Sequence, residues 1–381
     1  MRSMARWDVV CKVVDNYGDA GVAWRLSRQL VHEHGQRVTL WIDDPAPLAR
    51  IVAGVDPAAD ASHAEGVFVR RRRAEAPWTP GDVVVDAFGA GLPATWIDAL
   101  AGAARPPVWI VLEYLSAEAW VDGAHLRASP EPRTGLERHY WCPGFTPSTG
   151  GLLRERDLVA RREAFLRDPP ARAATLASVG VTTPRNGSIA LLFCYPSPAL
   201  VDLFDAWSDA EAPLTVLVPQ GVAVDAIDRW SGGRVPHPGA PAVRGALTLV
   251  SMPFIAQRDF DALLWSCDVA IVRGEDSFVR AQWACLPFAW HAYPQDGFAH
   301  LAKVDAFLDR SLAHAPPGAA AAARAFAAAL NRGDGPALAD AWTAFDRASG
   351  ALAAHARRWA GELAARPDLA SDLVRWVDSR L

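Results

Sequence analysis

Lysine is nearly missing: among 38 basic residues only Lys12 and Lys303 are lysines. Arginine supplies the rest, as GC-rich coding sequence would, so its abundance alone says little about function. Cysteine is sparse. Cys11, Cys142, Cys194, Cys267 and Cys285 stand far apart with no C-x-x-C pair, which excludes a zinc knuckle, a redox dithiol and a disulfide scaffold. Five thiols in apolar or strand-like settings suit a reducing cytoplasm. No apolar run approaches the roughly 18 residues of a membrane helix. Asp8 and Lys12 interrupt the N-terminal apolar stretch and no small-residue cleavage site follows, so it reads as no signal peptide. A membrane partner is therefore not expected. The net charge of −5 lacks the basic excess of a nucleic-acid binder. Neither H-E-x-x-H nor a cysteine-rich spacing occurs, so no metal is expected, and His32, His34, His291 and His300 read as surface or core histidines.

What is present is an ordinary globular composition: 381 residues, 51% apolar and 21% charged, enough for two domains. Short Val/Ile-rich runs alternate with helical patterns. In the first half they are Asp8–Val14, Val38–Asp43, Val67–Arg70, Val83–Ala87 and Val108–Glu113. The second series is Ser188–Tyr195, Leu214–Pro219, Leu247–Phe254, Val269–Arg273 and Phe288–Ala292. Continuous apolar strands are those buried on both faces of a parallel sheet. Residues 116–153 show no clear period, a helical stretch runs from about Arg154 to Val179, and the chain from about Gly318 is mostly helical. The expected fold is α/β: two doubly wound Rossmann-like domains facing across a cleft, with a helical C-terminus. The expected boundaries are 1–153 for an N-terminal domain, 154–184 for a helical linker region and 185–381 for a C-terminal domain whose last helices pack back on the first.

The first strand runs into Asp15, Asn16, Tyr17, Gly18, Asp19, Ala20 and Gly21 before a helix. A dinucleotide fold places G-x-G-x-x-G there. Here Gly18 and Gly21 are the only glycines, and two carboxylates would repel a pyrophosphate, so a cationic group suits the loop better. The plainer alternative is a turn at Asp15 and Asn16 with Asp19 capping the helix. In the second half, a strand ends in Arg273, Gly274, Glu275, Asp276 and Ser277. Ser277 near a helix start and the Arg273 guanidinium suit phosphate, while Glu275 and Asp276 suit sugar hydroxyls or a catalytic centre. A capped helix with a surface ion pair is the plainer reading. Phe193, Tyr195 and Phe254 near strand ends can stack on a base whose edge Gln257 reads, or belong to the core. Asp259 and Asp261 resemble a D-x-D metal motif, but in helical sequence they diverge around the axis. Arg70–Arg73 is the one dense basic run, either a solvated edge or a steering patch for an acidic macromolecule.

VCKVVDNYGDAGVAWRLSRQL, VLEYLSAEAWV, HYWCPGFTPSTGGLL, ALLFCY and VRGEDSFVRAQWA together resemble the bacterial protein-arginine rhamnosyltransferases of elongation factor P (the EarP family) over nearly the whole chain. The resemblance implies the GT-B architecture and inverting transfer of rhamnose from dTDP-β-L-rhamnose to an arginine of elongation factor P, which supports translation of proline runs. It implies an N-terminal domain that binds the acceptor and a C-terminal one that binds the donor. Phe193, Tyr195, Phe254 and Gln257 match residues around thymidine, and Arg273, Asp276 and Ser277 those around deoxyribose and diphosphate. Glu275 matches an essential acid, and Asp15 and Asp19 match two important aspartates, Asp19 being the base. Glu113, Tyr114 and residues 143–151 are expected to help receive the acceptor. A monomer without cofactor or metal follows. Competing classes are a GT-B enzyme with a small acceptor and a non-catalytic nucleotide-sugar module; a dehydrogenase fails for want of the glycine fingerprint.

Overall fold

Strand β1 (Arg6–Cys11) is buried at every position after Arg6, as a central parallel strand must be. The computed structural model describes residues 4–15, 17–73, 78–181, 187–234, 236–237 and 239–381. Two compact units divide the chain: Met1–Arg156 with Ala364–Leu381, and Asp157–Leu363.

In the first unit β1 is followed by β2 (Arg37–Ile42), β3 (Ala61–Ala64), β4 (Val67–Arg71), β5 (Val83–Ala87), β6 (Val108–Leu112), β7 (Ala128–Pro130) and β8 (Glu137–Trp141). They form one sheet in the order β3-β4-β2-β1-β5-β6-β8-β7. Only the two edge pairings, β3 with β4 and β7 with β8, are antiparallel. The six parallel strands thus follow the doubly wound order, third-second-first-fourth-fifth-sixth. The order reverses between β1 and β5, whose register pairs Val10 with Asp86 and Cys11 with Ala87. The helix Leu369–Asp378 returns to this unit, where Gln29 Nε2 donates to Asp368 Oδ1 at 2.9 Å.

The second unit holds β9 (Ser188–Leu192), β10 (Leu214–Pro219), β11 (Ala242–Arg244), β12 (Leu247–Met252), β13 (Val269–Arg273) and β14 (Phe288–His291), ordered β11-β12-β10-β9-β13-β14. All pairings but β11 with β12 are parallel, and the reversal lies between β9 and β13. Leu192, Phe204, Leu249, Phe326 and Leu338 meet in its core, which the helices Pro317–Arg332 and Gly335–Arg347 help to build.

Several boundaries differ from the sequence expectation for a visible reason. β1 ends at Cys11, although Val13 and Val14 are apolar. Asp43 Oδ1 takes the Val13 N–H at 2.9 Å and Asp19 Oδ2 takes that of Val14 at 2.8 Å, so side chains replace the ladder and Val14 is 67% exposed. β12 stops at Met252 because Pro253 has no N–H to donate. The helical stretch after Arg154 is two helices, Leu158–Leu166 and Pro169–Ser178, parted where Asp168 accepts the Ala171 N–H ahead of two prolines. β8 was not expected at all. Its sequence, Glu-Arg-His-Tyr-Trp, is polar because the Arg138 guanidinium lies over the rings of Trp109 and Tyr140 in place of an aliphatic contact. The short edge strands β3, β7 and β11 were likewise missed. Among the described residues no helix is long and apolar enough to cross a membrane.

Candidate active site

Ligands of doubly wound sheets bind at the carboxyl ends of the strands where the order reverses. In the first unit these are the loops after β1 and β5. Asp19, in the first turn of the helix Tyr17–His34, is 2% exposed. Its Oδ2 reaches back to the N–H groups of Val14 and Asp15, both at 2.8 Å. The loop is therefore folded around this carboxylate. Asp15 is half-buried, and its carbonyl accepts the Gly18 N–H at 2.7 Å. A Cβ on Gly18 would stand 2.7 Å from Asp15 Oδ2, so only glycine lets that carboxylate lie there. Tyr17 is half-buried and its hydroxyl accepts from Arg50 Nη1 at 3.3 Å. Gly21 is buried within the helix. Asn16 lies outside the described residues.

Beside this loop stands a carboxyl the sequence reading passed over. Asp86 is buried in β5 and accepts the Gly91 N–H at 3.1 Å. Burial pushes its carboxyl up to about 6; Arg72, the Gly91 N–H and Arg138 pull the other way, and Glu113 adds to the rise. An acid inside an otherwise apolar strand, Val-Val-Val-Asp-Ala, was the available signal. Glu113, first residue after β6, also has its carboxyl raised by burial. Tyr114 beside it stacks on Phe88, centroids 4.7 Å apart at 22°. Segment 143–151 is mostly buried, with Trp141 Nε1 donating to Gly150 O at 3.2 Å, and exposes chiefly Pro147 and Ser148.

In the second unit, Phe193 and Tyr195 lie beyond the last residue of β9 rather than within it. The Phe193 N–H still donates to Ile271 O at 2.8 Å, whereas that of Tyr195 turns to His291 Nδ1 at 3.3 Å. Both rings receive the Arg273 guanidinium, whose carbon lies 4.8 Å from each centroid. Burial first, with the His300 and Arg273 charges adding, holds His291 down at about 4, so its imidazole is neutral beside that cation. Gly274 turns the chain with φ +61, Glu275 stands at the cap and the helix Asp276–Ala284 begins. The Ser277 hydroxyl donates to Arg273 O and accepts the Arg273 N–H, closing the turn beneath that helix start. The first N–H groups of a helix suit phosphate oxygens.

Phe254 is half-buried after β12. Gln257 opens the next helix, Gln257–Trp265, and its Nε2 donates to Asp276 Oδ2 at 2.9 Å, tying the two helix starts together. One turn further in, Arg280 and Asp261 make a bidentate pair at 2.6 and 2.5 Å with side chains 0% and 6% exposed. That is the work of Asp261; Asp259 is exposed on the same helix. The basic run is tied down rather than loose: Arg70 lies over Trp41, Arg71 donates to Pro57 O, Arg72 to Ala90 O and Gly91 O, and Arg73 pairs with Asp60. Among the described residues no group of three or more His, Cys, Asp or Glu is placed to hold a metal ion.

Two doubly wound units in one chain are the architecture of the GT-B glycosyltransferases. An α-glucosyltransferase solved with UDP and a DNA 13-mer shares the fold at 9% identity and TM-score 0.50, over 99% of this chain and 100% of that one. A solved structure of EarP, described as the basis for arginine glycosylation of translation elongation factor EF-P, is 36% identical with TM-score 0.71, covering 99% of this chain and 100% of that one. The protein-arginine rhamnosyltransferase of Pseudomonas putida is 45% identical over 99% of this chain and 100% of its own length. That of Pseudomonas aeruginosa is 44% identical over 98% of this chain and 99% of its own. The model of the elongation factor P rhamnosyltransferase family EarP matches residues 7–378, and the chain belongs to that family.

Proposed function

We propose that the chain transfers rhamnose from dTDP-β-L-rhamnose to an arginine side chain of elongation factor P with inversion, and so supports translation of proline runs. The observation that carries this is the difference between two like switch points: the first unit's loop is folded around the Asp19 carboxylate, and the second's sets a guanidinium against two rings at a helix start, with Glu275 and Asp276 beside it. On this reading the first unit presents the acceptor guanidinium and the second holds the donor. Phe193, Tyr195, Phe254 and Gln257 surround the thymidine. Arg273, Asp276 and Ser277 serve the sugar and diphosphate end, and Glu275 orients the rhamnose or the acceptor.

Removing a proton from a free guanidinium at pH 7 costs about 7.5–9 kcal/mol. Deprotonation must therefore accompany attack, on carboxylates already aligned. Asp15, the more accessible, aligns the guanidinium, and Asp19 takes the proton. A guanidinium nitrogen attacks the anomeric carbon, the bond to the diphosphate oxygen breaks, and the departing charge meets Arg273 and the helix start. One displacement inverts the carbon and needs no covalent sugar–enzyme intermediate. The enzyme works as a monomer in the cytoplasm.

Intact-protein mass spectrometry of elongation factor P, incubated with this protein and dTDP-rhamnose, tests the whole proposal. One added deoxyhexose on an arginine is expected. An unchanged mass, or transfer to free arginine alone, would overturn it.

A further inference from the structure

The loop after β5 carries a feature the mechanism above does not use. Phe88 adopts a left-handed backbone, φ +59, which costs an aromatic residue energy and which glycine enters freely. Gly89 and Gly91, which follow it, also have positive φ. The strain is held in place from three sides. The Phe88 N–H donates to Leu112 O at 2.7 Å, the Gly91 N–H to Asp86 Oδ1, and Arg72 Nη2 to Gly91 O at 2.6 Å. What the strain achieves is the stack on Tyr114, a ring that stays 38% exposed. A stack serving only the core would bury both rings.

Its position follows from register. Cys11 pairs with Ala87 and Ala87 with Leu112, so the chain leaves three adjacent strands at Lys12, Phe88 and Glu113. Adjacent strands lie about 4.8 Å apart. Phe88 therefore starts one strand spacing, and Glu113 with Tyr114 two, from the strand that leads into the loop of Asp15 and Asp19. A guanidinium is planar, delocalised and weakly hydrated, and it stacks on aromatic faces while its N–H groups reach carboxylates; an ammonium is a compact, strongly hydrated charge.

We propose that the Phe88–Tyr114 stack, with Glu113 at its side, is the platform on which the acceptor guanidinium lies, and that it selects arginine over lysine. This rests on the proposed function for the identity of the acceptor. The aromatic face takes the cation's plane, Glu113 takes N–H groups along one edge, and the Asp15–Asp19 loop is left to act on the reacting nitrogen.

The test measures KM separately for elongation factor P and for dTDP-rhamnose. Tyr114→Leu and Phe88→Gly should raise the acceptor KM roughly 5- to 30-fold while the donor KM stays put. Tyr114→Phe should lose far less than Tyr114→Leu. Phe88→Gly also relieves the positive φ, so its melting temperature guards against a folding defect. An unchanged acceptor KM in folded Tyr114→Leu, or a parallel rise in both KM values, overturns the platform. A small-cation titration separates this from the proposed function. Ethylguanidinium should shift the Tyr114 ring resonances of the wild-type protein and ethylammonium should not. Without that shift the platform fails whatever the transfer assay shows. With the shift present and no transfer to elongation factor P, the proposed function fails alone.

Discussion

In the first unit, the loop at the sheet's reversal is folded around a carboxylate: Asp19 Oδ2 accepts two backbone N–H groups and so sets the path of Val14 and Asp15. In the second unit, the corresponding position sets one cation, Arg273, beside the acids Glu275 and Asp276. Arg273 rests on Phe193 and Tyr195, and one turn deeper Arg280 and Asp261 lock two helices together. The strand orders are alike and the loop chemistry differs. A doubly wound frame dictates where a site lies, and the loop side chains dictate what it holds. The two loops are also stabilised differently. The first relies on an acid that the proposed mechanism also uses; the second is backed by an ion pair one helical turn deeper.

That contrast is open to breaking. Asp19→Asn keeps an oxygen to accept the Val14 and Asp15 N–H groups while losing the base. Turnover should fall by roughly 10²–10⁴-fold with the melting temperature nearly unchanged. Turnover like that of the wild type would remove Asp19 from the chemistry and leave it a structural acid. In the second unit the effect should fall on stability instead. Asp261→Asn leaves Arg280 buried without its counter-charge, and denaturant unfolding should register a loss of about 3–5 kcal/mol. A variant as stable as the wild type would mean that the buried pair does not hold these helices. The gentlest comparison is by pH. The Asp86 carboxyl is raised by burial to about 6 from an ordinary 3.8. A raised acid contributes stability that is full below the unfolded value and is lost as pH climbs through the folded one. Asp86→Asn can still accept the Gly91 N–H without ionising. It should match the wild type near pH 4 and gain up to about 3 kcal/mol above pH 6. Parallel stability curves across that window would show that folding leaves the Asp86 carboxyl unshifted.

Much of the frame was legible beforehand. Val83–Ala87, Leu214–Pro219 and Val269–Arg273 were read with their observed limits, because a short, mostly apolar run has nowhere to go but between two covered faces. The positions of the charged loops were legible as well: residues 15–21 follow β1 and residues 274–277 follow β13, where a strand was expected to give way to a helix. Less legible was anything set by side chains replacing backbone partners. β1 stopped early because Asp43 and Asp19 took the next N–H groups, and β8 stayed hidden because an arginine over two rings stood where apolar residues were expected. The hydrogen bond from the Gln257 amide to Asp276 on the next helix was likewise not legible.

By itself, the sequence determined that two parallel sheets form, which runs make their inner strands, and where the charged loops fall, because burial on both faces and loop chemistry are local properties of the chain. Only the tertiary structure decided that Asp261 meets Arg280, that Asp86 lies beside β1 and that Phe88 stacks on Tyr114. Those meetings depend on which strands and helices lie next to one another. Strand order and helix packing are settled by the whole core, and no periodicity within one segment encodes them.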